Sequence, residues 1–270
     1  MQRELVERWG SRSVHEISKR DIIDLITAVV DRGAPVAANK ALKVTRAFFS
    51  WCVGRAILER SPCEGVKAPT IEKTRDRVLT DEELASVLLA ARAMGGSYGA
   101  IVEVLALTGQ RREEVTGMTW AEIDLGRRLW TLSGTRTKNG KPHVVQLSDL
   151  AVAIIGAQTR FGALIFAGIG AAPFANFSKE KRRLDGLSEV LDWRLHDLRR
   201  TTVSGMARLG VAPHIADKIL NHASGTISGV AAVYQRHEFM VERRDALERW
   251  NAHVECIIDE AAEPLFKEAS

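Results

Sequence analysis

One feature restricts this chain more than any other. Helical periodicity runs through most of it, interrupted by a single stretch of strand-type alternation. In "ISKRDIIDLITAVVDRG", Ile22, Leu25, Ile26 and Val29 recur at helical spacing and Gly33 closes the pattern. "PVAANKALKVTRAFFSWCVGRAILE" repeats the idea, and its spacing predicts an apolar face of Ala41, Val44, Phe48 and Trp51. "VKAPTIEKTRDR" (66–77) has proline, charges and no apolar period, so it reads as a linker. A second unit starts at "LTDEELASVLLAAR", where Thr80 and Glu83 have the spacing of a capping box. "YGAIVEVLALTG" predicts a further helix ending at Gly109. Alternating residues flank Asn139-Gly140 in "RRLWTLSGTRTKNGKPHVVQL", the signature of a tight hairpin within a three-stranded antiparallel edge. The uncharged run 161–178 reads as a buried strand and loop, and the pattern is helical again from Asp192 onward. The expected fold is mainly α with a small antiparallel β-sheet, divided into a helical unit at 1–70 and a larger unit at 71–270.

Charge refines this picture. The net charge is +4, and residues 1–70 hold 12 Lys/Arg against 8 Asp/Glu, so the whole excess lies there. Lys40, Lys43 and Arg46 recur every three residues on one helical face, which suits phosphate contact. A solvated face is the alternative for such a stripe. The three cysteines form no metal-type pairing and no even disulfide set, which points to a reducing compartment, the cytoplasm. The opening "MQRELVERWG" is charged throughout, and no apolar run is suited to a membrane.

Five places carry polar chemistry. Arg111 follows the helix-ending Gly109, with Glu114 three residues on and able to orient the guanidinium. Lys138 precedes Asn139-Gly140, where a long side chain can swing into a groove; Lys141 competes for the same role. In "WRLHDLRRTTVSGMARLG", His196 and Arg199 lie three apart beside a stripe of Leu195, Leu198, Thr202 and Met206, and Asp197 stands between them. Planar guanidinium and imidazole donors converging from one face fit a phosphate. Pro213 starts a short helix that ends at His222. Tyr234, one of two tyrosines, sits among small residues in "SGVAAVYQRHEF". Taken singly, each has an ordinary structural reading: a surface ion pair, a turn lysine, a helix cap, a packed ring. No Cys/His/Asp/Glu set has metal-ligand spacing, and no phosphate-cradling Gly-Lys-Ser/Thr loop is present, so neither metal nor nucleotide cofactor is expected.

The ordered set Arg111, Lys138, His196, Arg199, His222 and Tyr234 resembles that of the tyrosine recombinases, the phage-integrase family. "HDLRRT" followed by "LNHASGT…VYQRH" is especially similar to integrases of prophages and genomic islands. The resemblance implies a partial core-type DNA-binding domain at 1–70 and a catalytic domain at 71–270; relatives in that branch carry a further N-terminal arm-binding domain, which nothing in this sequence matches. It implies a site-specific recombinase that integrates or excises a mobile element through a 3′-phosphotyrosyl intermediate. Tyr234 would be the nucleophile, Arg111 and Arg199 the charge-neutralising pair, His196 and His222 hydrogen-bonding or proton-accepting groups, and Lys138 the general acid. Glu114 and Asp197 would hold these groups in place. The expected partners are duplex attachment sites, three further copies of the chain in a tetramer, and an accessory DNA-bending or excision factor. A helix after Tyr234, with Leu247 and Trp250 on one side, would dock on a neighbouring subunit. A relaxing type IB topoisomerase shares the catalytic set, a DNA-binding remnant of an integrase is the non-enzymatic alternative, and a metal nuclease is a distant third.

Overall fold

The computed structural model describes residues 2–72, 75–222 and 237–267. The chain divides into two compact units, Met1–Arg75 and Asp76–Ser270.

The first unit contains α1 (Gln2–Trp9), α2 (Lys19–Asp31) and α3 (Pro35–Gly54). Ser18 caps α2 reciprocally with Asp21, satisfying two backbone donors at its start. Ile22, Leu25, Ile26 and Val29 are buried, as their spacing predicts. The buried face of α3 differs from the expected one. It consists of Ala38, Ala41, Leu42, Thr45, Phe49 and Cys52, while Val44, Phe48 and Trp51 are about half exposed. The helix carries more apolar residues than its contact with α2 can cover. Of two overlapping stripes, the one holding the smaller Ala38 and Ala41 faces inward, which lets the helices approach closely.

The second unit is built around α5 (Gly96–Thr108), whose residues from Tyr98 to Thr108 are all buried. Against it pack α4 (Asp81–Met94), α7 (Asp149–Gly156), α9 (Leu195–Arg208) and α11 (Met240–Lys267). The Thr80–Glu83 capping box opens α4. Close approach is enforced at two glycines. A Cβ on Gly99 would fall 2.2 Å from the Ala91 carbonyl oxygen, and one on Gly205 would fall 2.1 Å from the Trp250 ring. Leu247 and Trp250 are buried inside this unit, and the indole N–H donates to the Ala106 carbonyl at 2.9 Å. The apolar side of α11 is therefore filled within its own chain at these positions, which corrects the expectation that they dock on a neighbour.

Strands β1 (Ile123–Asp124), β2 (Leu129–Leu132) and β3 (His143–Gln146) form an antiparallel sheet in that order. The β2–β3 ladder stops at the pair Leu132–His143. Asn139-Gly140 is therefore not a two-residue turn; the connection runs from 133 to 142 and includes a 3₁₀ turn at Gly134–Arg136. Competing hydrogen bonds open it. Arg136 is held by Glu122 at 2.6 Å and by the Glu114 carbonyl at 2.8 Å, while the Thr137 hydroxyl donates to Lys141 O at 2.7 Å. The run 161–178 also departs from expectation. Ile165 and Phe166 are buried, but the run makes only isolated bridges, Thr119–Leu164 and Ala167–Pro173. The remaining elements are α6 (Arg112–Thr116), α8 (Phe177–Ser188) and α10 (Pro213–Ile219). Among the described residues, no helix is long and apolar enough to cross a membrane.

Candidate active site

The site grows from the C-terminal ends of two helices. At the end of α5 the chain must reverse, and Gly109 takes the left-handed conformation at φ 63°. The carbonyls left over at this end all find donors. Ala106 O accepts from Thr202 Oγ1 and Trp250 Nε1, and Leu107 O accepts from Asn251 Nδ2. Thr108 O accepts from Gln110 Nε2, and Gly109 O accepts from Arg199 Nη1 at 2.7 Å. This last bond fixes one edge of the Arg199 guanidinium.

The other edge is fixed by α10. Leu220 ends that helix, Asn221 is left-handed at φ 50°, and His222 follows. Asn221 N–H donates to Lys218 O and His222 N–H donates to Asp217 O, the paired bonds of a Schellman cap. Three successive carbonyls then point at the site. Ile219 O accepts from Gln110 Nε2 at 2.9 Å and His143 Nε2 at 3.1 Å. Leu220 O accepts from Arg199 Nη2 at 2.6 Å, and Asn221 O accepts from Arg111 Nη2 at 3.5 Å. The negative end of a helix thus gathers two guanidiniums in fixed orientation.

The two arginines differ in their surroundings. Arg199 is 5% exposed, and burial together with the Arg111 charge pushes its pKa down to about 10. It stays protonated at neutral pH. Arg111 lies at the N-terminus of α6 and pairs with Glu114 at 3.0 Å; Glu114 also accepts from the Arg111 backbone N–H at 3.0 Å. Glu114 is buried, so one carboxylate serves both as helix cap and as counter-ion.

His196 and Arg199 sit on different sides of α9. Arg199 is inward, whereas His196 is exposed at the edge of an open cleft of about 620 Å³. Partial desolvation and the charges of Arg200, Arg199 and Arg111 lower the His196 pKa, favouring the neutral imidazole. Asp197 is fully buried; it accepts from Arg194 N–H at 2.9 Å and pairs with Arg200 at 2.6 Å. His222 Nδ1 lies 3.0 Å from Asp217 Oδ1, which orients its ring. Lys138 is exposed and borders the same cleft as Arg111 and His196. Tyr234 lies outside the described residues, as does the rest of the segment 223–236.

Several side chains at this site carry no sequence signal of their own. Arg112, Lys181 and Arg194 make the cleft more basic, and Phe177 and Trp193 give it aromatic walls. Lys181 Nζ stands 3.9 Å above the Trp193 ring, and the Arg112 guanidinium 5.0 Å from that of Phe177. The basic dipeptides Arg111-Arg112 and Arg199-Arg200 hinted at extra charge, but α8 approaches the cleft only in three dimensions. Asp217 and Asn221 are the other additions; their proximity to His222 in sequence was the available clue. In the first unit, Lys40, Lys43 and Arg46 are exposed, and Arg46 also donates to the Val66 carbonyl. Among the described residues, no group of three or more His, Cys, Asp or Glu side chains is arranged to hold a metal ion.

The arrangement can hold a tetrahedral anion. Two fixed guanidiniums and two imidazoles are available to neutralise and hydrogen-bond its oxygens, and an exposed lysine at the cleft can donate a proton. Residues 77–239 match the phage integrase family model. Tyrosine recombinase XerC of Xanthomonas campestris pv. campestris is 27% identical over 154 residues, covering 56% of this chain and 47% of the relative. Prophage integrase IntS of Escherichia coli is 26% identical over 150 residues, covering 54% of this chain and 39% of its own. The chain thus spans about half the length, or less, of these curated relatives. In fold it is similar to a lambda integrase tetramer bound to a Holliday junction, with TM-score 0.61 at 17% identity, over 79% of this chain and 66% of the other.

Proposed function

The chain belongs to the phage integrase family, and from that premise we propose that it is a site-specific DNA recombinase of a prophage or genomic island. It cuts and rejoins duplex DNA through a 3′-phosphotyrosyl intermediate. The observation that carries this reading is the convergence of Arg111 and Arg199 on the carbonyl end of α10, next to His222 and beside the cleft of Lys138 and His196.

In the proposed reaction the Tyr234 oxygen attacks phosphorus and the bond to the 5′ oxygen breaks. A phenol of reference pKa ~10 is protonated at neutral pH, so a ring nitrogen of His196 or His222 accepts its proton. Arg111 and Arg199 stabilise the charge that builds on the non-bridging oxygens. Lys138 gives its proton to the departing 5′ oxygen, leaving a 5′-hydroxyl. Glu114 holds Arg111; Asp197 acts at one remove, by capping α9 and binding Arg200. The second strand's 5′-hydroxyl reverses these steps and releases Tyr234.

The catalytic domain in this reading is 71–270, and 1–70 is a core-type DNA-binding domain that presents Lys40, Lys43 and Arg46 to phosphates. The lambda integrase tetramer on a Holliday junction supports a tetramer on two synapsed duplexes here. An accessory DNA-bending or excision factor would set the direction of exchange. The free cysteines Cys52, Cys63 and Cys256 support action in the cytoplasm.

The test is covalent trapping. The full chain is incubated with a pool of random-sequence duplexes nicked so that cleavage releases a short 5′-hydroxyl fragment. Adducts should accumulate without nucleotide, and the DNA-linked peptide should contain Tyr234. Failure to form any adduct would leave only a DNA-binding protein. Relaxation of a supercoiled plasmid that lacks the selected sequence would favour a topoisomerase.

A further inference from the structure

Lys138 sits in the long connection between β2 and β3, on a flexible stem at an exposed position. Proton transfer demands hydrogen-bond reach, so something must hold this connection against the rest of the site. The bonds of Arg136 and Thr137 anchor only its base. Beyond Lys138, a different tie crosses to α10. Asn139 Nδ2 donates to Asn221 Oδ1 at 2.6 Å, and Asn221 Nδ2 returns toward Asn139 Oδ1 at 3.5 Å. The two residues are 82 positions apart. Asn221 is the left-handed cap residue whose carbonyl accepts from Arg111, and it stands between Leu220, which holds Arg199, and His222.

We propose that Asn139 and Asn221 form a clasp that positions Lys138 for proton transfer to the leaving oxygen. The clasp ties the lysine-bearing loop to the same turn that orients both guanidiniums. Proton donor and phosphate ligands then share one reference frame. Neither asparagine touches the reacting atoms; both are positioning residues. The inference rests on the reading of Lys138 as general acid.

The cap geometry supplies a clean probe. Glycine is the usual residue at a left-handed cap, so Asn221→Gly keeps the turn while deleting the amide. Asn139→Ala deletes the partner. Each variant is assayed as full chain in single-turnover cleavage of the duplex selected by trapping, with either oxygen or sulfur at the bridging 5′ position. A sulfur leaving group departs without a proton. On the oxygen substrate each variant should be slower by about tenfold, the rate equivalent of one hydrogen bond. The double variant should be no slower than either single one. On the sulfur substrate all three should match wild type, which a merely structural loss would not allow. Lys138→Ala is run alongside. If sulfur does not rescue Lys138→Ala, the general-acid reading falls and takes the clasp with it. If it does, while the clasp variants are slowed equally on both substrates or not at all, the clasp alone is wrong.

Discussion

Helices α3 and α9 depart from the usual partition of residues in opposite directions. α3 leaves Val44, Phe48 and Trp51 half exposed. α9 buries Asp197 and Arg199. An exposed apolar side chain costs only burial that is never gained, and folded surfaces carry many of them. A buried charge costs several kcal/mol unless its hydrogen bonds are made inside. Arg199 therefore persists only because the carbonyls of Gly109 and Leu220 meet it, and those carbonyls exist only because α5 and α10 both end there. A surplus of apolar residues on a helix says little about function. A buried guanidinium supported by two helix ends marks a place where the fold has been organised around a charge.

The largest effect should come from breaking the α9 side of this contrast. Arg199→Ala should slow single-turnover cleavage by about 10²–10³-fold, the usual loss for one transition-state donor. It should also lower stability by ~1–3 kcal/mol, because buried carbonyls lose their donor. Arg111→Ala should match it in rate and also lower stability, because the buried Glu114 carboxylate loses its counter-ion and keeps only the α6 cap bond. A cleavage rate within twofold of wild type for either variant would remove that arginine from the site.

Within α3 the two faces can be set against each other. Phe49→Ala should cost ~3–5 kcal/mol in chemical denaturation, as for other buried aromatics. Trp51→Ala, two residues away, should change stability by only about 0.5 kcal/mol or less. Equal losses would mean that the exposed face is covered in the assembly that unfolds.

Acid should act selectively on the second unit. His143 is buried, and its pKa is lowered to about 4, first by desolvation and then by the Arg243 charge. The unfolded chain binds this proton near the ordinary His value of ~6.5, so stability is full above that pH. It is lost progressively as pH falls from there toward 4, by up to ~3 kcal/mol from this group. His143→Gln, which can still donate to Ile219 O, should flatten the profile in that window. An unchanged acid limb would assign the lability to carboxylates instead.

The smallest effect concerns the exposed cations of α3. Replacing Lys40, Lys43 and Arg46 by Ala should weaken DNA binding at moderate salt. The log K against log salt slope should become shallower by ~0.9 for each phosphate that is no longer neutralised. Cleavage on saturating DNA should be unchanged. A wild-type slope would make the stripe an ordinary solvated face.

Much of this was legible in the sequence because it depends on local rules. Helical period, the Thr80–Glu83 capping box and the glycine stops are read within a few residues, and they located α2, α4, α5 and the end of α5; α10 stops at Ile219, three residues before the His222 expected to end it, because Asn221 turns left-handed there. The order of Arg, Lys, His-x-x-Arg, His and Tyr carried the resemblance to the family. What the sequence left open was decided by contacts between segments far apart in the chain. Periodicity allowed two stripes on α3, and packing against α2 selected the one with small residues. Alternation around Asn139-Gly140 suggested a tight turn, but the bonds of Arg136 and Thr137 outcompeted the ladder. The tail helix looked available to a neighbour until Gly205 admitted Trp250. Spacing put His196 and Arg199 together, yet one faces the cleft and the other is held by carbonyls 90 and 21 residues away. Chemistry is written residue by residue, whereas burial and orientation come from which distant backbone groups are left without partners, and only the assembled fold supplies those.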